Sequence, residues 1–385
     1  MNNGQMGIPY NDAIQMVDLK AQYYRLKQEL DTAMQEVLRN AHFINGPQVK
    51  AFASHLANYM DVAHVIPCAN GTDAIQIALM SLNLQPGDEV IVPAFNYVAA
   101  AETVAMLGLI PVLVDVNADT FNIDIHKIEQ AISRRTKAII PVHLFGQGCD
   151  MEPIMRIAEK YNLFVIEDNA QSIGASYKFS SGKTKRLGTI GHIGTTSFFP
   201  SKPLACYGDG GAVMTTDDSL AERLRLIANH GQVKKYQHKI VGCNSRLDTL
   251  QAAILDVKLK HLDEFTQARV QVAERYDSAF FHLSDIITPY KPLYTSHIYH
   301  QYTIRIKNGK RDALQEWLKQ KGIPSMVYYP APLDKQEAFR IHARKSGNLM
   351  IASQLCKTVL SFPIHTEMRD YVQDYIIGQV TQFFN

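Results

Sequence analysis

Apolar residues recur at helical spacing between positions 18 and 40, at Leu19, Tyr23, Leu26, Leu30, Met34, Val37 and Leu38, and predict an amphipathic helix. A second helix is expected over Val49–Tyr59, entered through Gly46-Pro47. The period then changes. Short apolar runs at His64–Cys68, Glu89–Pro93, Pro111–Val116, Ala138–His143, Phe164–Glu167, Thr195–Phe199 and Gly211–Thr215 read as strands. Helical stretches over Thr72–Leu82, Val98–Leu107, Asp124–Ser133 and Glu152–Tyr161 fall between several of them. This alternation predicts an α/β fold on a mainly parallel sheet covered on both faces. The last two runs are separated only by a Gly-rich turn, so a hairpin-like departure from parallel order is expected there. Leu220–Ala228 and Leu247–Leu262 read as helices leading out of the sheet. Beyond them come a helix (Gln267–Leu283), a Pro/Tyr-rich loop (Thr288–Tyr299), a strand (Gln301–Ile306) and helices at Arg311–Lys321 and near Asp370–Phe383. The pattern divides the chain into a large domain, 14–262, and a smaller C-terminal α+β domain, 263–385.

Composition narrows the class. The chain has 385 residues, 46% hydrophobic, with a formal net charge of +2, enough for a sizeable core and two domains. The small charge and the lack of basic runs argue against nucleic acid as a partner. No stretch approaches the ~20 apolar residues of a membrane span, and the N-terminus lacks a secretory pattern. The five cysteines are scattered and never form a C-x-x-C pair, which suits a reducing cytoplasm without disulfides or a zinc site. His64 and His192 have no partner at metal-ligand spacing, and no metal is expected.

Candidate chemistry centres on Ser197–Ala212, SFFPSKPLACYGDGGA, in which Lys202 stands among Phe198, Phe199, Leu204 and Tyr207, between Pro200 and Pro203. An amine held in apolar surroundings loses its charge more readily and becomes nucleophilic, as a Schiff-base lysine must. The alternative is a lysine whose stem packs on aromatics while its head reaches water. Asn70-Gly71-Thr72-Asp73 follows the first strand and opens a helix, which makes it either a phosphate cradle or an ordinary N-cap. Asp168 follows an apolar strand and could pair with a protonated pyridine nitrogen, or could simply cap a helix. Gln171 could reach a phenolate oxygen or be polar loop filler. Tyr97 could stack on a flat ring or be a core aromatic. His143 reads as a satisfied histidine at the core edge. Ser180-Ser181-Gly182-Lys183-Thr184 looks like the tail of a P-loop, but Tyr177 stands where that motif needs glycine. Taken in chain order, cradle, stacking ring, carboxylate and lysine are the parts needed to hold pyridoxal 5′-phosphate (PLP).

Four ordered motifs carry a resemblance: Asn70 to Ala74, Ile166 to Ser172, Ser197 to Ala212, and Gly242 to Asp248 continuing through Gln251 to Leu255. Over roughly residues 14 to 380 the chain resembles the DegT/DnrJ/StrS-type sugar aminotransferases. These are PLP enzymes of the aspartate aminotransferase (type I) fold, with a mainly parallel seven-stranded sheet and a smaller C-terminal domain. The opening dozen residues fall outside the resemblance and read as a leader or expression remnant. The resemblance implies that Lys202 bonds the cofactor aldehyde, Asp168 pairs with the ring nitrogen and Gln171 meets the ring hydroxyl. It places Tyr97 as the stacking aromatic and Gly71, Thr72 and Ser197 at the phosphate. Asn244 would reach the phosphate of a neighbouring subunit, making a homodimer with shared sites.

The implied reaction moves an amino group from L-glutamate, leaving 2-oxoglutarate, to a keto sugar linked to a nucleotide diphosphate. Lysine rather than histidine at position 202 favours transamination over sugar dehydration. The resemblance extends to enzymes aminating UDP-2-acetamido-3-keto-glucuronate for bacterial O-antigen (lipopolysaccharide) synthesis. There Arg246 would grip the uronate carboxylate, and Tyr328 stands where that group carries histidine. A polar insertion around Phe179–Arg186 is a second difference. The alternatives are a dTDP-3-keto-6-deoxyhexose as substrate, or a non-catalytic regulatory protein on the same fold.

Overall fold

The computed structural model describes residues 13–385; the opening dozen, read above as a leader, lie outside the described residues. The main sheet is built from β1 (His64–Cys68), β2 (Glu89–Pro93), β3 (Ile110–Val114), β4 (Thr136–Ile139), β5 (Phe164–Asp168), β8 (Ile193–Ser197) and β9 (Gly211–Thr215). A short hairpin, β6 (Ser176–Lys178) with β7 (Thr184–Arg186), lies between β5 and β8 in the chain. The main-sheet order is β1-β9-β8-β5-β4-β2-β3, with the two-residue strand Arg344–Lys345 added at the β3 edge. Every pairing is parallel except those made by β9, which runs against both β8 and β1. The hairpin-like departure expected from the Gly-rich turn is this antiparallel pair. β2, β8 and β9 are buried along their whole length, as strands covered on both faces must be.

Several boundaries move. The stretch 18–40 is two helices, Leu19–Arg25 and Lys27–Asn40, with Leu26 turned into the core at their junction. The helix read over Leu247–Leu262 ends at Leu259, and a longer one, Leu262–Phe280, begins after a break at Lys260-His261. The polar insertion near 179–186 contains the turn of the β6–β7 hairpin, not a loose loop: Phe179 N donates to Lys183 O at 2.8 Å. Among the described residues no helix is long and apolar enough to cross a membrane.

The C-terminal region forms a three-stranded antiparallel sheet, Ile286–Ile287, Tyr302–Ile306 and Val359–Phe362, with Tyr276, Phe280, Leu314 and Ile376 in its core. The sequence pattern does not signal its third strand or the helix Met350–Thr358 before it. That helix packs back on the large sheet, where Asp115 accepts from Ile351 N (2.9 Å) and Ala352 N (2.8 Å). Arg344 forms two bonds to the sealed Glu89 carboxylate, at 3.0 and 2.9 Å.

Candidate active site

Strand register assembles the site. Ser197 at the end of β8 is paired with Gly211 of β9, and Gly211 with Cys68 at the end of β1. On the other side, Asp168 at the end of β5 lies opposite Thr195. These strand ends therefore open at one edge, where parallel sheets bind ligands.

Helix Gly71–Ser81 starts at that edge. Asn70 caps it by accepting from Asp73 N at 2.8 Å, whereas the N–H groups of Gly71 and Thr72 have no hydrogen-bond partner among the described residues. A Cβ on Gly71 would lie 2.6 Å from Cβ of Ser197, so glycine is what lets the helix start touch the strand end. Two unbonded N–H groups at a helix N-terminus, beside the hydroxyls of Thr72 and Ser197, make an anion cradle. Ser245, which the sequence reading did not single out, ties a third segment to it. Its Oγ accepts from Ala69 N (3.0 Å) and donates to Asp73 (2.6 Å). Asn244 and Arg246 flank this tethered residue in the chain.

The loop between β8 and β9 carries Lys202. Phe198 N to Gly210 O (2.7 Å) and Cys206 N to Phe198 O (2.9 Å) close the loop, and Lys202 N donates to Phe199 O at 2.8 Å. The Lys202 side chain is half-buried and makes no hydrogen bond or ion pair among the described residues. Burial lowers its amine from 10.5 to about 8, against the weaker upward pull of the Asp168 carboxylate. Asp168 is buried, and among the described residues its carboxylate accepts only from Ala170 N, at 3.0 Å. Burial pushes its carboxyl up, outweighing Ala170 N–H, Lys202 and His143. It is a buried acid with no ion-pair partner among the described residues, and a protonated ring nitrogen would fit beside it.

Gln171 is fixed at both ends: Oε1 accepts from Phe145 N (2.7 Å) and Nε2 donates to the Tyr329 hydroxyl (3.3 Å). Tyr329 stacks on Phe145 (centroids 6.4 Å, 23°) and lies 6.4 Å from the Tyr97 ring. Tyr97 is 57% exposed, so it is not a core aromatic but the open end of an aromatic wall. Tyr329 is a second residue the sequence reading passed over, although it adjoins Tyr328 in a segment already singled out.

Beneath the site Glu167, fully sealed, accepts from His143 Nε2 (2.8 Å) and from the backbone N–H of Gly188 (2.8 Å), Ile190 (2.6 Å) and Gly191 (2.6 Å). Because His143 Nδ1 accepts from Cys149 N (3.1 Å), the ring proton sits on Nε2 and points at Glu167. Burial drives the Glu167 carboxyl up, but His143 and these N–H groups together hold it below its usual range.

The structure brings Lys202, Asp168, Gln171, Tyr97, Gly71, Thr72 and Ser197 to one edge. No bond joins Asn244, Arg246 or Tyr328 to them. Asn244 is exposed, Arg246 is half-buried with no bonded partner among the described residues, and Tyr328 is half-buried. An anion cradle, a depressed amine, a buried acid and an aromatic wall suit a phosphorylated aromatic aldehyde whose ring carries positive charge.

Comparison with known proteins agrees with this class. The model of the DegT/DnrJ/EryC1/StrS aminotransferase family matches residues 25–381, and the chain belongs to that family. It is 48% identical over 352 residues, 91% of its length and 95% of the other, to the UDP-2-acetamido-2-deoxy-3-oxo-D-glucuronate aminotransferase of Pseudomonas aeruginosa. It is 38% identical over 351 residues, 91% of both chains, to the dTDP-3-amino-3,4,6-trideoxy-alpha-D-glucose transaminase of Streptomyces venezuelae. A DegT/DnrJ/EryC1/StrS aminotransferase from Brucella abortus superposes with a TM-score of 0.92 at 41% identity, covering 97% of this chain and 100% of that one. NtdA from Bacillus subtilis, solved with bound cofactor PMP, gives 0.89 at 30% identity, covering 98% and 86%. The fold is that of the type I PLP-dependent aminotransferases.

The state of Lys202 predicts a pH profile. The neutral fraction of an amine at about 8 rises about fivefold from pH 7 to pH 8 and levels off above about pH 9. Reductive trapping of Lys202 by pyridoxal and borohydride in cofactor-free protein should follow that curve, read by peptide mapping. A rate still climbing about tenfold per pH unit beyond pH 9 would mark an ordinary hydrated lysine.

Proposed function

We propose that this sugar aminotransferase uses PLP to move the amino group of L-glutamate to the C3 keto group of UDP-2-acetamido-3-keto-glucuronate. The setting would be the cytoplasm, in bacterial surface polysaccharide synthesis. The observation that carries the substrate is Arg246: a half-buried residue with no bonded partner among the described residues, next in the chain to Ser245, which is tied to the cradle helix. A guanidinium left without a partner at a ligand edge suits a carboxylate, which it can grip with two parallel bonds. The 48% identity to an enzyme named for that uronate supports the reading.

Bound PLP supplies the electron sink that lets an amino acid lose its Cα proton. The chain does the rest. The cradle at Gly71, Thr72 and Ser197 takes the phosphate. Asp168 keeps a proton on the ring nitrogen, its negative charge stabilised in return. Gln171, locked by Phe145 N–H and Tyr329, presents its amide toward the ring hydroxyl, and Tyr97 covers the ring face. When its amine is free, Lys202 would serve as the base in its neutral form, which an amine near 8 populates increasingly from pH 7 upward. Its Nζ accepts the Cα proton of glutamate and returns a proton to carbon when the sugar is aminated. Asn244 has no side-chain bond among the described residues and is exposed. In keeping with the family resemblance it would reach the phosphate of a second copy, making the active species a homodimer whose sites each draw on both chains.

The test is a coupled assay over UDP- and dTDP-linked keto sugars. Arg246→Lys should cut kcat/KM on the uronate about 30- to 100-fold, because the two-pronged contact is lost, and on a neutral hexose less than about threefold. Equal losses would remove the carboxylate contact. Tyr328, where the uronate group carries histidine, favours a second reading, a dTDP-3-keto-6-deoxyhexose. The 38% relative acts on a dTDP sugar by name. The same panel decides between them.

A further inference from the structure

A second lysine lies buried near the Lys202 loop. Lys258, on the helix Thr249–Leu259, is 1% exposed, and its Nζ is sealed with no hydrogen bond or ion pair among the described residues. It lies over the ring of Tyr207, whose centroid is 4.2 Å away. Tyr207 follows Lys202 in the same loop, and its own hydroxyl is also sealed and unbonded. The ring, not the hydroxyl, is therefore what Tyr207 offers. Two turns earlier on the helix, Gln251 clasps the same residue: its Oε1 accepts from Tyr207 N (2.8 Å) and its Nε2 donates to Tyr207 O (3.3 Å). A single helix thus holds the far arm of the loop by backbone and by ring.

A fully desolvated ammonium is costly and is retained only where something compensates it. A cation over an aromatic face is strongest when both are out of water. We propose that Lys258 is a positioning residue: its ammonium against the Tyr207 ring, together with the Gln251 clasp, sets the loop so that Lys202 meets the cofactor at bonding distance. Burial lowers the Lys258 amine to about 8, with Cys206 pulling weakly the other way, and the Tyr207 ring face at 4.2 Å adds a second contact that favours the charged form.

The inference rests on Lys202 as the cofactor lysine, so the first measurement is borohydride mapping of the wild-type holoenzyme. A tag outside Lys202 overturns both readings; a tag at Lys202 leaves the second open to the following measurements. Lys258→Met keeps the length and apolar stem. It should weaken PLP binding at least tenfold, shift the absorbance band of the holoenzyme and lower kcat while KM for glutamate holds. Tyr207→Leu should do the same, and the double variant should be no worse than either alone. Lys258→Arg, which also stacks on a ring, should restore most of the PLP affinity, and in Tyr207→Phe the effect of Lys258→Met should persist. A lower melting temperature in Lys258→Met with unchanged PLP affinity and spectrum would overturn the inference. So would additive effects of the two substitutions.

Discussion

Lys202→Ala abolishes transamination, with turnover falling on the order of 10⁴-fold or more, because one group supplies both the covalent anchor and the proton carrier. The fold persists. The Lys202 side chain makes no hydrogen bond or ion pair among the described residues, so nothing is left unsatisfied when it goes. The pH dependence of stability has a definite sign. The folded amine lies near 8, below the unfolded value of 10.5, so between those values the unfolded chain binds more protons. The lysine therefore costs stability at pH 7, and that cost is relieved as pH rises through about 8 to 10.5. Thermal melting of wild type and variant checks this. The variant should melt no lower at pH 7, and the wild type should gain on it toward pH 10. Wild-type turnover by Lys202→Ala would remove the mechanism.

The largest stability effect belongs to Glu167, which touches no substrate. Glu167→Ala leaves the His143 Nε2–H and three backbone N–H groups buried without an acceptor. The cost should be about 3–5 kcal/mol, enough to unfold a marginal domain. Because the folded carboxyl lies below the ordinary 4.5, its contribution is complete above about pH 5 and disappears as pH falls through the folded value. Urea denaturation at pH 7 should separate wild type from Glu167→Gln, and the gap should narrow below about pH 4.5. A gap of the same size at pH 4 would mean that the charge on Glu167 does not hold these donors.

The two neighbours Glu167 and Asp168 show where sequence reading stops. Adjacent strand residues point to opposite faces. Asp168 was legible because it ends an apolar strand just before a polar turn. Glu167 looks from the sequence like one more strand residue. Its four donors come from the segment after β4 and from the loop before β8, and only folding brings those together. Tyr329 and Ser245 went unread for the same reason. Each sits beside a residue that was singled out, but each acts by bonding a distant segment. Lys258 lies within the stretch Leu247–Leu262 read as a helix, and nothing local shows that its amine ends against a ring of another element. The helix breaks at Leu26 and at Lys260-His261 were missed because packing against neighbours, not local preference, sets them.

The sequence by itself determined the alternation of strands and helices, the reversal at the Gly-rich turn and the motifs that identify a sugar aminotransferase. These are local signals: periodicity along one segment, turn residues, and residue types at fixed spacing. Only the tertiary structure decided which strand ends lie side by side, how far the Lys202 amine is drawn from water, and which buried groups find partners. Register and desolvation depend on atoms far apart in the chain, and no stretch of residues read alone contains them.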